Sequence, residues 1–274
     1  MRIKYAILGY DTINIGDDIQ SFVTSTLLDI TYIILRDNYD IIYDFKTGNK
    51  IDKNQISDKI YLIMNGWFML CEDHWPIGND KGEIKFPILN NNIIPIFIST
   101  CLSKDVKFLE NKDCIEYYKK YEPIFCRDKT TLTMLENNNV KSNFFGCLTQ
   151  LLDVKKINDN DFYKNKYSDS IIYVDTNPEI IDDNIYYFYH YIDDLINLNP
   201  FERIKYAENL LSKYKYAKKI YTSRLHCFLP CRAMGLNVEF IGERCYRTED
   251  LIYNIPNKEK LLEKFYEIIK DKSI

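Results

Sequence analysis

No run of about 18 apolar residues occurs anywhere in this chain, which excludes a transmembrane helix. The opening stretch from Met1 to Tyr10 has neither the apolar region nor the cleavage site of an export signal, so a cytoplasmic protein is expected. A disulfide framework is missing as well. Eight cysteines fall at irregular spacing, and without an export signal they read as reduced, mostly buried thiols. There is no surplus of positive charge: the formal net charge is −4 and the pI about 5.6. That argues against a nucleic-acid binder, and the Lys213, Lys215, Lys218 and Lys219 cluster reads as a solvated face. Neither a short-period repeat nor a glycine-rich phosphate loop is present.

What is present is a chain of 274 residues with 46% hydrophobic content, enough for one large core or two of average size. Residues 3–9 read as a first strand, and Asp17 or Asp18 as the cap of a helix running to about Leu28. Tyr61 to Gly66 is a buried strand ending at Asn65-Gly66. Ile94 to Thr100 is another, followed by a helix from Asp105 to Lys120. Glu122 to Asp128 reads as strand into turn, and Lys129 to Asn138 as helix. A linker-like stretch at 155–161 separates this from a second series: Ser170–Thr176, Tyr186–Tyr191, a helix over Pro200–Lys215, and a strand at Val238–Gly242. The final helix, Asn257 to Lys270, carries Leu261, Leu262, Phe265, Ile268 and Ile269 on one side. Strands alternating with helices imply largely parallel sheets. The expected fold is α/β, with one domain over 1–155 and a second over 156–274, the last helix free to pack back on the first.

One stretch stands out, from Lys219 to Gly235. Ile220 to Thr222 have strand propensity, Ser223 is a suitable N-cap and Gly235 a suitable terminator. Pro230 is expected to bend or break this helix one turn in. Arg224 and His226 then lie at the carboxyl end of a strand, where open α/β sheets bind ligands. Arg127 repeats that placement in the first half. Helix N-termini and arginine forks favour anions, and histidine titrates near neutrality. Asp17, in the Asn14–Gln20 passage, is first a cap and second a candidate base. Gly16 permits a tight turn there. The long stretch Trp67–Pro95, with Trp67, Phe68, His74 and Trp75, reads as a packed irregular loop or an aromatic platform for a sugar. His190 reads as structural. Cys227 and Cys231 share a helix face, but two ligands do not make a metal site.

Several motifs together resemble the polysaccharide pyruvyl transferase family. They are Asn14-Ile-Gly-Asp-Asp18, Asn65-Gly-Trp-Phe-Met69, Tyr121 to Asp128, Gly146-Cys-Leu-Thr149, and above all Thr222-Ser-Arg-Leu-His-Cys227 with Ala233-Met-Gly235. The resemblance implies a GT-B-like fold of two Rossmann-like domains. It also implies transfer of a pyruvyl group from phosphoenolpyruvate to two hydroxyls of one glycan sugar, forming a cyclic ketal and releasing phosphate. On this reading His226 and Asp17 are the catalytic candidates. Arg224, Arg127, Leu225, Ser223, Asn14, Gly16, Asn65 and Trp67 contact substrate, and no metal or other cofactor is required. A nucleotide-sugar glycosyltransferase and an inactive glycan-binding relative are the alternatives. Neither the acceptor sugar nor the oligomeric state follows from the sequence.

Overall fold

The computed structural model describes residues 3–36, 38–68, 92–103, 109, 112–178, 182–253 and 256–273, and two short strands at 77–78 and 84–85. The expected His74 and Trp75 platform and most of the stretch 104–111 lie outside the described residues.

The first half builds an eight-stranded sheet. Its strands are β1 (Lys4–Gly9), β2 (Ile30–Leu35), β3 (Ile42–Asp44), β4 (Lys50–Ile51), β5 (Ile60–Phe68), β8 (Ile93–Leu102), β9 (Ile124–Cys126) and β10 (Ser142–Phe144). The order is β10-β9-β8-β5-β1-β2-β3-β4. The first six of these run parallel, and β3 and β4 add an antiparallel edge. The short strands β6 (Ile77–Gly78) and β7 (Ile84–Lys85) pair only with each other. The central strands are apolar on both faces, as parallel strands covered on both sides must be. The chain steps from β1 to β2 on one side and later to β5 on the other. That reversal opens a crevice at the carboxyl ends of β1 and β5.

The second half repeats the plan in smaller form. Strands β11 (Ile171–Val174), β12 (Ile185–Phe188), β13 (Lys219–Thr222) and β14 (Val238–Phe240) form an all-parallel sheet in the order β12-β11-β13-β14. Its reversal lies between β11 and β13. The expected α/β class with mostly parallel sheets is the observed one. Loops leaving the carboxyl ends of β1 and β12 pair with each other: Ile15 N–H donates to His190 O at 2.9 Å and Ile192 N–H to Ile13 O at 2.8 Å.

The helices explain how the halves hold together. Helix α1 (Ile15–Leu27) shares one apolar cluster with residues of β11, β13, α5 (Pro200–Lys215) and α6 (Leu225–Ala233). Within that seam Arg203 and Asp18, both sealed from solvent, form a two-point ion pair of 3.0 and 2.8 Å. The last helix, α8 (Lys258–Lys272), lays Leu261, Phe265, Ile268 and Ile269 against Tyr61, Ile63, Ile96, Ile98 and Phe125 of the first sheet. The remaining helices are α2 (Lys112–Lys120), α3 (Lys129–Asn137), α4 (Asp161–Tyr167) and α7 (Tyr246–Ile252). Among the described residues seven cysteines are free, six of them buried. No described helix is long and apolar enough to cross a membrane.

Local chemistry sets several boundaries. Helix α5 begins where expected, because Asn199 and Glu202 cap each other's backbone and Pro200 occupies the first turn. Other boundaries differ from expectation. Asn14, not Asp17 or Asp18, caps α1, its side chain accepting from Gly16 N–H at 3.1 Å. Strand β5 runs on through Asn65-Gly66 to Phe68, because Gly66 to Phe68 keep pairing with Thr100 to Leu102 of β8 across a register shift. Arg224 rather than Ser223 holds the N-cap position of α6, since the Ser223 hydroxyl is drawn to Asp175 O at 2.9 Å. Helix α6 also continues through Pro230 instead of breaking there. Phe228, Leu229, Pro230 and Cys231 are all buried, so packing outweighs the single lost bond.

Candidate active site

The site is built where the carboxyl edges of the two sheets meet. After β1 the chain turns at Asn14 and enters α1, which places Asp17 and Gln20 in its first two turns. Thr12 Oγ1 donates to Asp17 Oδ2 at 3.1 Å, and Gln20 Nε2 to Asp17 Oδ1 at 3.4 Å. Gln20 Oε1 in turn accepts from Arg127 Nη1 at 3.3 Å. Arg127 follows β9 directly and is only 1% exposed. The next residue, Asp128, caps α3 through Thr131 N–H, so it is spent on that helix.

From the second half comes α6. It opens without a side-chain cap, which leaves first-turn N–H groups for an outside acceptor. His226 lies in that turn and packs on Gly16: a Cβ added to Gly16 would sit 3.1 Å from His226 Nδ1 and 3.3 Å from its Cβ. Glycine at 16 is therefore what lets helix α1 approach the imidazole. A second glycine serves the other side. A Cβ at Gly242 would lie 2.7 Å from Ser223 O, against the turn that presents Arg224. Beyond it, in the first turn of α7, Arg247 lays its guanidinium over the Trp67 indole at 4.0 Å. That stack joins α7 to the end of β5.

The electrostatics follow from this packing. Burial, with Arg127, Arg247 and His190 adding to it, holds the His226 pKa well below its usual 6.5, so the free protein carries a neutral imidazole at pH 7. Burial raises the Asp17 pKa above the usual carboxylate value, and Arg36, Thr12, Arg127 and Arg203 oppose that rise. Arg127 Nε, Arg247 Nε, His226 Nε2 and Trp67 Nε1 are sealed from solvent and meet no protein acceptor among the described residues. Each unmet buried donor costs about 1–3 kcal/mol. Arg127 and Arg247 are permanent cations whose charges bear on His226, so their two unmet Nε donors favour an acceptor brought to that side of the imidazole.

The other expected contacts fall in different places. Arg224 is tied away, its Nε 2.5 Å from Asp175 Oδ2 and its guanidinium 4.2 Å from the Tyr191 ring centre. Leu225 opens α6 beside it. Ser223 bonds Asp175, as above. Asn65 is wholly buried between α1 and β5, its Nδ2 donating to Thr24 Oγ1 at 3.1 Å. Trp67 presents one face to Arg247, and Phe68 is core. Cys227 and Cys231 are buried in the shared apolar cluster. No group of three or more His, Cys, Asp and Glu among the described residues is arranged to hold a metal ion. Sequence reasoning missed Arg247 and Gln20. No local signal marked Arg247, since α7 is short, is separated from β14 by a loop and has Cys245 at its cap.

A model of the family described as polysaccharide pyruvyl transferase matches residues 14–264, nearly the whole chain. No curated protein matches. Among solved structures, a functionally uncharacterised protein, KP1_0663 of Klebsiella pneumoniae subsp. pneumoniae NTUH-K2044, is 16% identical, with 92% of this chain and 91% of that chain covered at a TM-score of 0.47. The S. aureus MnaA–UDP co-structure is 8% identical, covers 99% and 90%, and has a TM-score of 0.44. The UDP-GlcNAc 2-epimerase of Methanocaldococcus jannaschii, in complex with UDP-GlcNAc and UDP, is 12% identical over 98% and 93%, with a TM-score of 0.43. At TM-scores under 0.5 these likenesses carry nothing about function.

Proposed function

Since the chain belongs to the polysaccharide pyruvyl transferase family, a family of transferases acting on polysaccharide, we propose that it moves a pyruvyl group from phosphoenolpyruvate onto two hydroxyls of one sugar, releasing phosphate and leaving a cyclic ketal. The observation that carries this reading is the cradle of unmet donors: Arg127 and Arg247 near His226, beside the uncapped start of α6. Phosphoenolpyruvate brings a phosphate and a carboxylate, two anions for two guanidinium groups and a helix terminus.

The same charges set the proton chemistry. In the protein alone burial, with Arg127, Arg247 and His190 adding to it, keeps His226 neutral. An anion bound among them reverses that field, so His226 takes up a proton as the donor arrives. It delivers this proton to the donor methylene, and the adjacent carbon becomes cationic. The first sugar hydroxyl adds there, its proton passing to Asp17, whose raised pKa and bonds to Thr12 and Gln20 suit a base in place. Phosphate departs, carrying off the proton from Asp17. The second hydroxyl closes the ring and its proton restores His226. Atoms and charge balance: one methyl group is made and one hydrogen phosphate released.

The test is a thermal-shift screen followed by a phosphate-release assay. Stabilisation by phosphoenolpyruvate, with phosphate released in the presence of a glycan diol, is the expected outcome. Stabilisation by nucleotide sugars alone would transfer the site to glycosyl chemistry.

A further inference from the structure

We propose that Trp67 is a positioning residue for the donor: its indole holds the Arg247 guanidinium beside His226, with the cation's charge and N–H donors left free for an anionic group. This rests on the transferase reading for the identity of the anion, and on geometry for the residue that holds the arginine.

An arginine inside a protein is commonly fixed by a carboxylate or by carbonyls, and each such partner takes up donors or charge. The protein does this twice. Arg203 is held by Asp18 and by the Leu195 and Thr12 carbonyls, and Arg232 by the Leu251 and Ile252 carbonyls. Arg247 is held differently. Among the described residues no acceptor meets its Nε, and the Trp67 ring centre lies 4.0 Å from its guanidinium carbon. A guanidinium over an indole engages through its flat face. Its N–H donors point outward in the plane and stay available. The indole therefore fixes this cation without neutralising it. The same contact closes that face of Trp67 to a sugar.

Both ends of the contact are anchored. On the tryptophan side, Trp67 pairs with Cys101 of β8, and Arg36 Nη1 donates to its carbonyl at 3.5 Å. The preceding residue, Gly66, has φ 143°, and a Cβ added there would sit 3.0 Å from Tyr10 Oη. A side chain at 66 is disfavoured on both counts, so glycine keeps the strand end on its course to the indole. On the arginine side, α7 is tied at three points. Cys245 N–H donates to Thr248 Oγ1 at 3.0 Å, Lys129 N–H donates to Asp250 Oδ2 at 2.9 Å, and Arg232 donates to the last two carbonyls of the helix. With the backbone fixed, the freedom left to Arg247 is that of its long side chain. The indole removes much of it before an anion arrives, which is how preorganisation raises affinity. Arg127 and Arg247 both bear on His226. One follows a strand of the first sheet and the other lies beyond the last strand of the second. Trp67, at the end of β5, thus places the second half's cation against the first half's site.

A double-mutant cycle read by calorimetry with phosphoenolpyruvate tests this, using Trp67→Ala, Trp67→Phe, Arg247→Ala and the Trp67→Ala, Arg247→Ala pair. Trp67→Ala should weaken binding about three- to tenfold, the scale of one cation–π contact. Trp67→Phe keeps a ring face and should recover most of that loss. With Arg247→Ala already present, Trp67→Ala should cost less than about twofold more, because the indole acts through the arginine. The full loss in both backgrounds would make Trp67 a direct contact of the donor and overturn the proposal. So would unchanged affinity in Trp67→Ala, or no recovery in Trp67→Phe. One readout needs no alanine at 67. In Trp75→Phe, which leaves Trp67 as the sole tryptophan, saturating phosphoenolpyruvate should change the indole emission, and unchanged emission overturns the proposal. If phosphoenolpyruvate does not bind the wild type, the donor assignment falls, and the cycle is read with inorganic phosphate. Coupling between Trp67 and Arg247 there sustains the positioning role; additive losses, or no binding of phosphate, end it.

Discussion

Arg127 and Arg224 occupy matching places in the two halves, each just after a parallel strand and just before a helix. Their surroundings are opposite. Arg127 is sealed, bonded to Gln20 through one nitrogen, with Nε unmet and its charge bearing on His226. Arg224 has a side chain 30% exposed, an aspartate on its Nε and a tyrosine ring beneath it. A strand-end arginine is thus placed by the fold, but its task is decided by what else reaches it. The partner of Arg224 comes from its own sheet. Arg127 Nε has no acceptor among the described residues, as suits a donor turned toward a ligand. Arg203 completes the comparison as a buried arginine whose donors are met by Asp18 and by the Leu195 and Thr12 carbonyls.

The largest effect should come from the residue that Arg127 acts upon. His226→Gln should lower turnover by about 10²–10⁴ while leaving phosphoenolpyruvate affinity nearly intact, because glutamine keeps hydrogen bonding but delivers no proton. Near-normal turnover with a raised Michaelis constant would make His226 a phosphate ligand only.

Next in size is the contrast between the two buried arginines. Arg203→Met should cost about 3–5 kcal/mol in urea unfolding, since it strands the Asp18 carboxylate in the seam. Adding Asp18→Leu should recover most of the loss. Arg127→Met should cost less stability than Arg203→Met, because among the described residues no carboxylate bonds Arg127 directly and its charge reaches Asp17 and the buried Asp128 only through space. Equal losses would mean that Arg127 is a structural arginine.

A smaller effect is the pH dependence of that same stability. The folded pKa of His226 is depressed and the unfolded value is the ordinary one, near 6.5. Between the two values the unfolded chain binds more protons. The His226 contribution is therefore present above about pH 6.5 and is lost as pH falls below it. Urea midpoints measured from pH 7.5 down to 5.5 should decline more in the wild type than in His226→Gln. Saturating phosphoenolpyruvate should reverse the sign, with the complex gaining a proton on binding.

The arrangement of elements was largely legible. Apolar runs marked the central strands, and Asn199-Pro200 with Glu202 marked α5 because that capping chemistry is local. The placement of Asp17, Arg127 and His226 at strand ends was legible, and their roles are proposals. The site was not legible where it depended on contacts between distant segments. Nothing in the sequence around Asp175 indicates that it adopts a left-handed conformation and binds Arg224. Arg247 was hidden because α7 is short and begins at Cys245, a residue type that does not advertise a cap. The exposed pair Tyr189 and Tyr191 reads from the sequence as strand residues. Their exposure follows from the bridge to Asn14, which no local pattern encodes.

The most direct measurement is calorimetric titration of phosphoenolpyruvate into the wild type, Arg127→Ala and Arg224→Ala at pH 7. The account predicts binding to the wild type and a loss of about 1.5–3 kcal/mol in Arg127→Ala, the range for a hydrogen bond to a charged group. In Arg224→Ala the donor affinity should change by no more than about 0.5 kcal/mol, as for a substitution away from the site. No binding to the wild type, or an equal loss in both variants, would contradict it.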